Sequence, residues 1–172
     1  MSHLSSSLLV LLVLTLTGCT VHRGERDTAA DIASLPSCGV VRVHDGDTVW
    51  VRCSGAREKI RLHCIDAPEL AQAPWGTQSR DHLRRLLVGG SVGLQRVDTD
   101  RYGRTVARLW VGQREITERM VEAGWAVAYP TYCPERWPHH AAEATARESG
   151  QGLWQSGGLH QTPWVWRAAQ RK

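Results

Sequence analysis

Phenylalanine is absent from this chain of 172 residues, so aromatic packing falls to eight tryptophans and three tyrosines. Indoles must therefore do much of the core filling, and Trp50, Trp110 and Trp154 read as packing residues, because a buried ring N–H is easily satisfied. Long apolar runs are missing too. The stretch Leu8 to Leu16 has only about half of the roughly 20 residues that cross a bilayer, so it reads as the hydrophobic region of an export leader. No Lys or Arg precedes that run, a departure from the usual leader. No Cys-x-x-Cys pair occurs among Cys38, Cys53, Cys64 and Cys133, which argues against a zinc site. Internal repeats and low-complexity tracts are likewise lacking beyond the leader.

What is present begins with that leader. It ends in Leu16-Thr17-Gly18-Cys19, a sequence that looks like a bacterial lipobox. Residues 1–18 are then a lipoprotein-type signal peptide, and Cys19 is the lipidated residue that anchors an exported protein to the cell-envelope membrane. Ordinary secretion, with Cys19 incidental, is the alternative. Residues 19–36 are polar, alanine-rich and aperiodic, as a flexible tether would be. The expected globular domain covers 37–155, and 156–172 form a tail that either packs back on it or stays loose.

Within the domain, strand-like alternation marks Gly39 to His44, Thr48 to Cys53 and Lys59 to Ile65, with turn residues at Asp45-Gly46 and Ser54-Gly55. A helix is expected from Gly76 to Val88, two more strands at Ser91 to Val97 and Thr105 to Val111, then helices at Glu115 to Ala123 and Trp137 to Glu148. Arg80, Arg84 and Arg85 read as a solvated helix face, and the neighbours His139 and His140 as a solvated pair. These elements suit an α+β fold, an OB-type five-stranded β-barrel with about three helices. Cys38 and Cys53 lie near the open ends of the first hairpin. Cys64 precedes the turn at Asp66 and Cys133 follows a tyrosine segment. Those positions favour the bridges Cys38–Cys53 and Cys64–Cys133, as an exported, oxidising context allows. Two buried free thiols are the alternative to the second bridge.

Three runs carry chemistry: Asp45-Gly46-Asp47-Thr48, then Arg61 through Glu69, then Asp100-Arg101-Tyr102-Gly103-Arg104. An Asp-Gly pair alone is an ordinary hairpin turn. A turn, however, needs no arginine five residues before a second aspartate and no glutamate three residues after it. Asp47 and Asp66 are short acids at tight turns, able to converge on one hard cation, and oxygen donors favour Ca2+ or Mg2+ over zinc. Arg61 and Arg104 carry permanently charged planar forks that grip a phosphate. Glu69 has a longer stem and suits the task of taking a proton from an attacking water or orienting it. Together these are the parts of a metal-assisted phosphodiesterase. The formal net charge of +4 and the pI of about 9.0 agree with a polyanionic partner.

In these runs the chain resembles the thermonucleases, the family typified by staphylococcal nuclease. The likeness extends from about Val40 to Trp154 and rests on Asp-Gly-Asp-Thr, on Arg-Leu followed by Ile-Asp-Ala-Pro-Glu, on Asp-Arg-Tyr-Gly-Arg, and on Gly-Leu-Trp after the last helix. It implies that Asp47, Asp66 and the backbone carbonyl of Ala67 bind Ca2+, that Glu69 acts through water, and that Arg61 and Arg104 are the catalytic arginines. Ala67 stands where the family often has Thr, which leaves a backbone ligand unaffected. By the same likeness Asp45 lies behind the ligands and holds the ion's waters, Arg101 and Tyr102 contact a neighbouring phosphate, and Tyr129 and Tyr132 stack on a base. The alternative for both tyrosines is packing. The implied activity is Ca2+-dependent endonucleolytic cleavage of DNA and RNA, single strands favoured, leaving 3'-phosphate ends. A monomer without protein partners is expected. The rival reading is a non-cleaving OB module that captures nucleic acid at the cell envelope.

Overall fold

A computed structural model describes residues 27–133 and 138–171. The expected leader, Cys19, the first part of the tether and Trp137 lie outside the described residues. The elements are α1 (Ala29–Ala33), β1 (Ser37–Val43), β2 (Thr48–Cys53), β3 (Ala56–Leu62), β4 (Ile65–Asp66), α2 (Trp75–Leu86), β5 (Ser91–Thr99), β6 (Thr105–Val111), β7 (Arg114–Glu115), α3 (Ile116–Glu122), β8 (Val127–Ala128), α4 (Pro138–Glu148) and α5 (Pro163–Ala169).

Period-two alternation builds the barrel: Val49 and Val51 of β2, Ile60 and Leu62 of β3, Leu94 of β5 and Ala107 and Leu109 of β6 are all buried, with polar neighbours between several of them. The strands run β3-β2-β1-β5-β6, and β6 returns to pair with β3 in parallel, so the ring closes. Closure leaves those five strands without a free edge. Two bulges bend the strands that must curve most. Register slips between Val40 and Arg42 in β1 and between Arg96 and Asp98 in β5, and the extra residues Val41 and Val97 are exposed. Leu83 of α2 and Ile116, Met120 and Val121 of α3 join the barrel residues in one apolar cluster. Truncating a residue buried as fully as Leu109 costs about 2–5 kcal/mol.

The fold is the expected α+β OB barrel, with five helices among the described residues where about three were expected. The additional ones are short and lie on the flanks. The end of the expected tether is ordered: Thr28 and Asp31 form a reciprocal cap on α1, Asp27 pairs with Arg108 at 2.6 Å, and Leu94 donates its N–H to the Pro36 carbonyl. Aperiodic sequence concealed this, because one capped turn and one ion pair have no repeat to detect. The tail also packs, through α5 and a preceding 3-10 turn at Leu159–Gln161. His139 is not solvated as expected but buried in α4, and burial pushes its imidazole down to about pKa 3. Both expected disulfides, Cys38–Cys53 and Cys64–Cys133, are present. Trp110 is buried with the Arg108 guanidinium 4.9 Å from its ring centre.

Candidate active site

The turn Asp45-Gly46-Asp47 leads into β2, and its glycine serves space rather than turn conformation. A Cβ at position 46 would overlap Ser79 Oγ of α2 and come within 2.7 Å of Ala67 Cβ, so only glycine lets the turn sit against both. Ser79 itself donates to the Trp125 carbonyl at 2.6 Å. The turn is thus wedged beside the segment that carries Asp66. Asp47 is buried, and its carboxylate is fully engaged: Oδ1 accepts from Thr48 Oγ1 at 2.9 Å and Oδ2 from the Ala67 N–H at 2.9 Å.

Asp66 sits on the two-residue strand β4, paired with Val127 of β8. Just before it, Cys64 holds a left-handed backbone (φ 69), a conformation costly for a residue with a Cβ. The bridge to Cys133 and the hydrogen bond from Tyr129 N to the Cys64 carbonyl, 2.9 Å, pin that turn.

Between the two aspartates lies Arg61 of β3. Its Nη2 is 2.9 Å from Asp66 Oδ1 and 3.1 Å from Asp47 Oδ2, while Nη1 donates to the Leu62 and Ile65 carbonyls at 3.0 and 2.8 Å. Burial and the neighbouring Asp47 push Asp66 up to about pKa 6, against the pull of its arginines. Burial and Asp47 likewise push Asp45 up to about 7, although Asp45 Oδ1 accepts the Asp47 N–H at 3.0 Å. Burial, which disfavours the charged form, is the leading cause for both.

Glu69 follows on a loop held by its own neighbour. The Glu69 N–H donates to Gln72 Oε1 at 2.9 Å, and the Gln72 N–H returns to the Glu69 carbonyl at 2.8 Å. Gln72 is buried. Sequence reasoning passed over it, although a buried amide three residues past an acid is the kind of group that fixes a loop.

Arg104 stands apart from this cluster in its contacts. In the parallel pairing of β3 with β6, Arg61 lies opposite Val106. Arg104 lies two residues earlier, just before the start of β6. Its Nε donates to Asp100 Oδ2 at 2.6 Å, and Asp100 Oδ1 accepts the Tyr102 and Arg104 N–H groups at 2.9 Å each. Burial would raise Asp100, but those N–H groups and the Arg104 charge outweigh it and hold the carboxyl below its usual range. The terminal nitrogens of Arg104 have no protein acceptor among the described residues. Arg101 and Arg104 flank the exposed Tyr102 ring, at 4.9 and 5.7 Å from its centre.

Tyr129 and Tyr132 meet each other, with ring centres 5.2 Å apart and Tyr132 exposed. A third ring joins them, as one of the two readings of the tail allowed: Trp164 of α5 stacks on Tyr129 at 5.3 Å. Three residues further along, Arg167 reaches the acids. Its Nη2 is 2.8 Å from Asp66 Oδ2, and its Nη1 lies 3.1 Å from Asp66 Oδ1 and 2.9 Å from Glu69 Oε1. No spacing rule points to it, since it lies 98 residues beyond Glu69 in an aperiodic tail.

Among the described residues, no three His, Cys, Asp or Glu side chains form a metal cage by themselves. The donor set nonetheless fits a hard cation that takes two protein carboxylates and keeps several waters. Asp47 and Asp66 offer oxygen only, both are buried, and a cationic group, the Arg167 guanidinium, already lies on Asp66 and Glu69.

The chain is similar to known nucleases. The family model described as staphylococcal nuclease homologue matches residues 59–156. A micrococcal nuclease of Shigella flexneri is 36% identical over 142 residues, covering 77% of this chain and 80% of the relative. A thermonuclease of Staphylococcus hyicus is 30% identical over 125 residues, covering 69% and 74%. A protein of Oryza sativa subsp. japonica named as a probable staphylococcal-like nuclease is 35% identical over 163 residues, or 93% of this chain. The chain spans about two fifths of the length of that relative and of a second one from the same plant.

Proposed function

Because the chain belongs to the staphylococcal nuclease homologue family, we propose that it is a nuclease, a Ca2+-dependent endonuclease acting on DNA and RNA. The observation that carries this reading is the buried triad in which one Arg61 nitrogen lies within 3.1 Å of both Asp47 and Asp66. An ion pair built only for stability would not need two desolvated acids on one guanidinium, since a buried pair seldom repays its desolvation.

Asp47, Asp66 and the Ala67 carbonyl would hold the ion, with Asp45 orienting its waters from behind. When bound, the ion supplies Lewis-acid charge to the phosphate oxygens. Glu69 takes one proton from the water that attacks phosphorus in line, and the bond to the 5'-oxygen breaks. That oxygen leaves as an alcohol after protonation from solvent, and the phosphate stays on the 3' side. Arg61 and Arg104 set their positive charge against the non-bridging oxygens, where negative charge grows in the transition state. Arg101 and Tyr102 hold the next phosphate, and Tyr129 and Tyr132 stack on a base of a single strand, a sequence-tolerant contact. The leader run and Cys19 support an exported, lipid-anchored protein of the bacterial cell envelope, and the monomer remains the expected state. Incorporation of radiolabelled palmitate that is lost in Cys19→Ser would test the anchor.

The decisive experiment incubates the protein with single-stranded DNA in Ca2+ or in chelator, alongside Glu69→Gln and Arg61→Ala. Metal-dependent shortening that falls about 10²-fold or more in each variant is expected. The ends should block polymerase extension until a 3'-phosphatase is added. Retention of intact strand by all three proteins would replace the enzyme with the capture module.

A further inference from the structure

Arg167 takes the very oxygens that the nuclease reading needs free. Its guanidinium contacts both Asp66 oxygens and one Glu69 oxygen, all between 2.8 and 3.1 Å. A planar fork suits such a grip. Asp66 is fully buried whereas the Arg167 side chain is 30% exposed, so the guanidinium lies on the solvent side of the acid.

The placement is built into the tail. His160 is buried, stacks on Trp75 at 4.3 Å, and shares its Nε2 proton with the Leu153 and Ser156 carbonyls at 2.9 and 3.0 Å. Gln161 donates to the same two carbonyls at 3.0 and 2.9 Å. Pro163, the first residue of α5, is buried, and Trp164 rests on Tyr129. The tail is thereby strapped from the start of α2 across to the tyrosines, and its next helical turn delivers Arg167 to the acids.

A guanidinium and a divalent cation compete for the same carboxylate oxygens, because both seek the oxygen face toward the pocket and their like charges repel. Without Arg167, the acids Asp47, Asp66 and Glu69 would face Arg61 alone, and repulsion would swing out Glu69, the longest and most exposed of the three. We propose that Arg167 is a positioning residue of the cation-free protein: it keeps Asp66 and Glu69 aimed into one pocket, and it gives way when a divalent cation loads. The affinity for that cation is then set by α5 as well as by the ligands. This inference rests on the roles that the nuclease reading gives Asp66 and Glu69.

Calorimetric titration of the full chain with Ca2+, without nucleic acid, tests it in wild type, Asp66→Asn, Arg167→Gln and Arg167→Lys. Removing the competing cation should tighten Ca2+ binding by about tenfold in Arg167→Gln, equivalent to about 1.4 kcal/mol, and by less in Arg167→Lys, which keeps the charge but not the fork. Thermal unfolding supplies a second readout. Arg167→Gln should melt below wild type in chelator, and saturating Ca2+ should close the gap. If Asp66→Asn loses Ca2+ binding while Arg167→Gln binds equally or more weakly, the proposal is overturned and Arg167 belongs to the loaded site, facing substrate. If Asp66→Asn binds Ca2+ like wild type, the metal assignment fails first and takes this inference with it. Should Arg167→Gln not fold, the binding of Arg167→Lys decides in its place: tighter than wild type supports the proposal, equal or weaker overturns it.

Discussion

The two arginines of the site are held in opposite ways. Arg61 is sunk among two carboxylates and two carbonyls on a barrel strand, with both terminal nitrogens committed. Arg104 stands at the foot of the β5–β6 hairpin, fixed through Nε by Asp100 inside a loop that makes its own hydrogen bonds. The first half of the site is preorganised by the scaffold at the cost of crowding like charges; the second keeps its fork available and its surroundings exposed. The carboxylate half should therefore couple activity to stability, and the arginine loop should not.

Substitution of the two arginines gives the largest expected effects and the sharpest break of that comparison. Arg61→Lys preserves charge but cannot reach four acceptors, so turnover should fall about 10²-fold or more. Its melting temperature should fall as well, because buried acceptors that the guanidinium filled are left unsatisfied. Arg104→Ala should lose a similar factor in turnover with its melting temperature unchanged. Parallel kinetics and thermal unfolding separate the two cases. A loss of stability in Arg104→Ala as large as that in Arg61→Lys would erase the distinction.

How far the sequence revealed each half follows from the kind of signal each leaves. Alternation placed β2 at Thr48 to Cys53 and β6 at Thr105 to Val111, the observed spans. Short motifs at fixed spacing brought Asp47, Arg61 and Asp66 to one point, because two strands, β2 and β3, and two turns connect them. Gly46 was visible as a turn residue, but its reason, the approach of Ser79 and Ala67, comes from tertiary packing. Arg167 left no signal, since a seven-residue helix in a short tail shows too little periodicity to announce a face. His139 was misjudged for a related reason: adjacent helical residues do point apart, but one of the two faced the core.

The disulfides extend the comparison at a smaller scale. Cys64–Cys133 closes 69 residues and Cys38–Cys53 closes 15, so by loop entropy their removal costs about 4 and about 3 kcal/mol respectively. Urea unfolding of the two double-alanine proteins would measure the difference. Only Cys64→Ala/Cys133→Ala should also lower activity in the folded protein, since that bridge alone pins the left-handed turn before Asp66. Equal activity losses from both would mean that the brace acts through global stability.

Part of the acid sensitivity should arise in the helical layer. The buried His139 has its pKa lowered to about 3, first by burial and then by the nearby positive charge of Arg108. An unfolded histidine titrates near 6.5, so the native state binds the proton less readily than the unfolded chain. The sign follows: His139 takes nothing from stability above about pH 6.5, and stability is lost as pH falls from there toward the folded value, by at most about 1.4 kcal/mol per pH unit. His139→Gln should flatten that slope in denaturant titrations between pH 6 and 4, while leaving the pH dependence of turnover unmoved at pH values where both proteins are folded. A shifted turnover profile would tie α4 to the chemistry and breach the separation between scaffold and site.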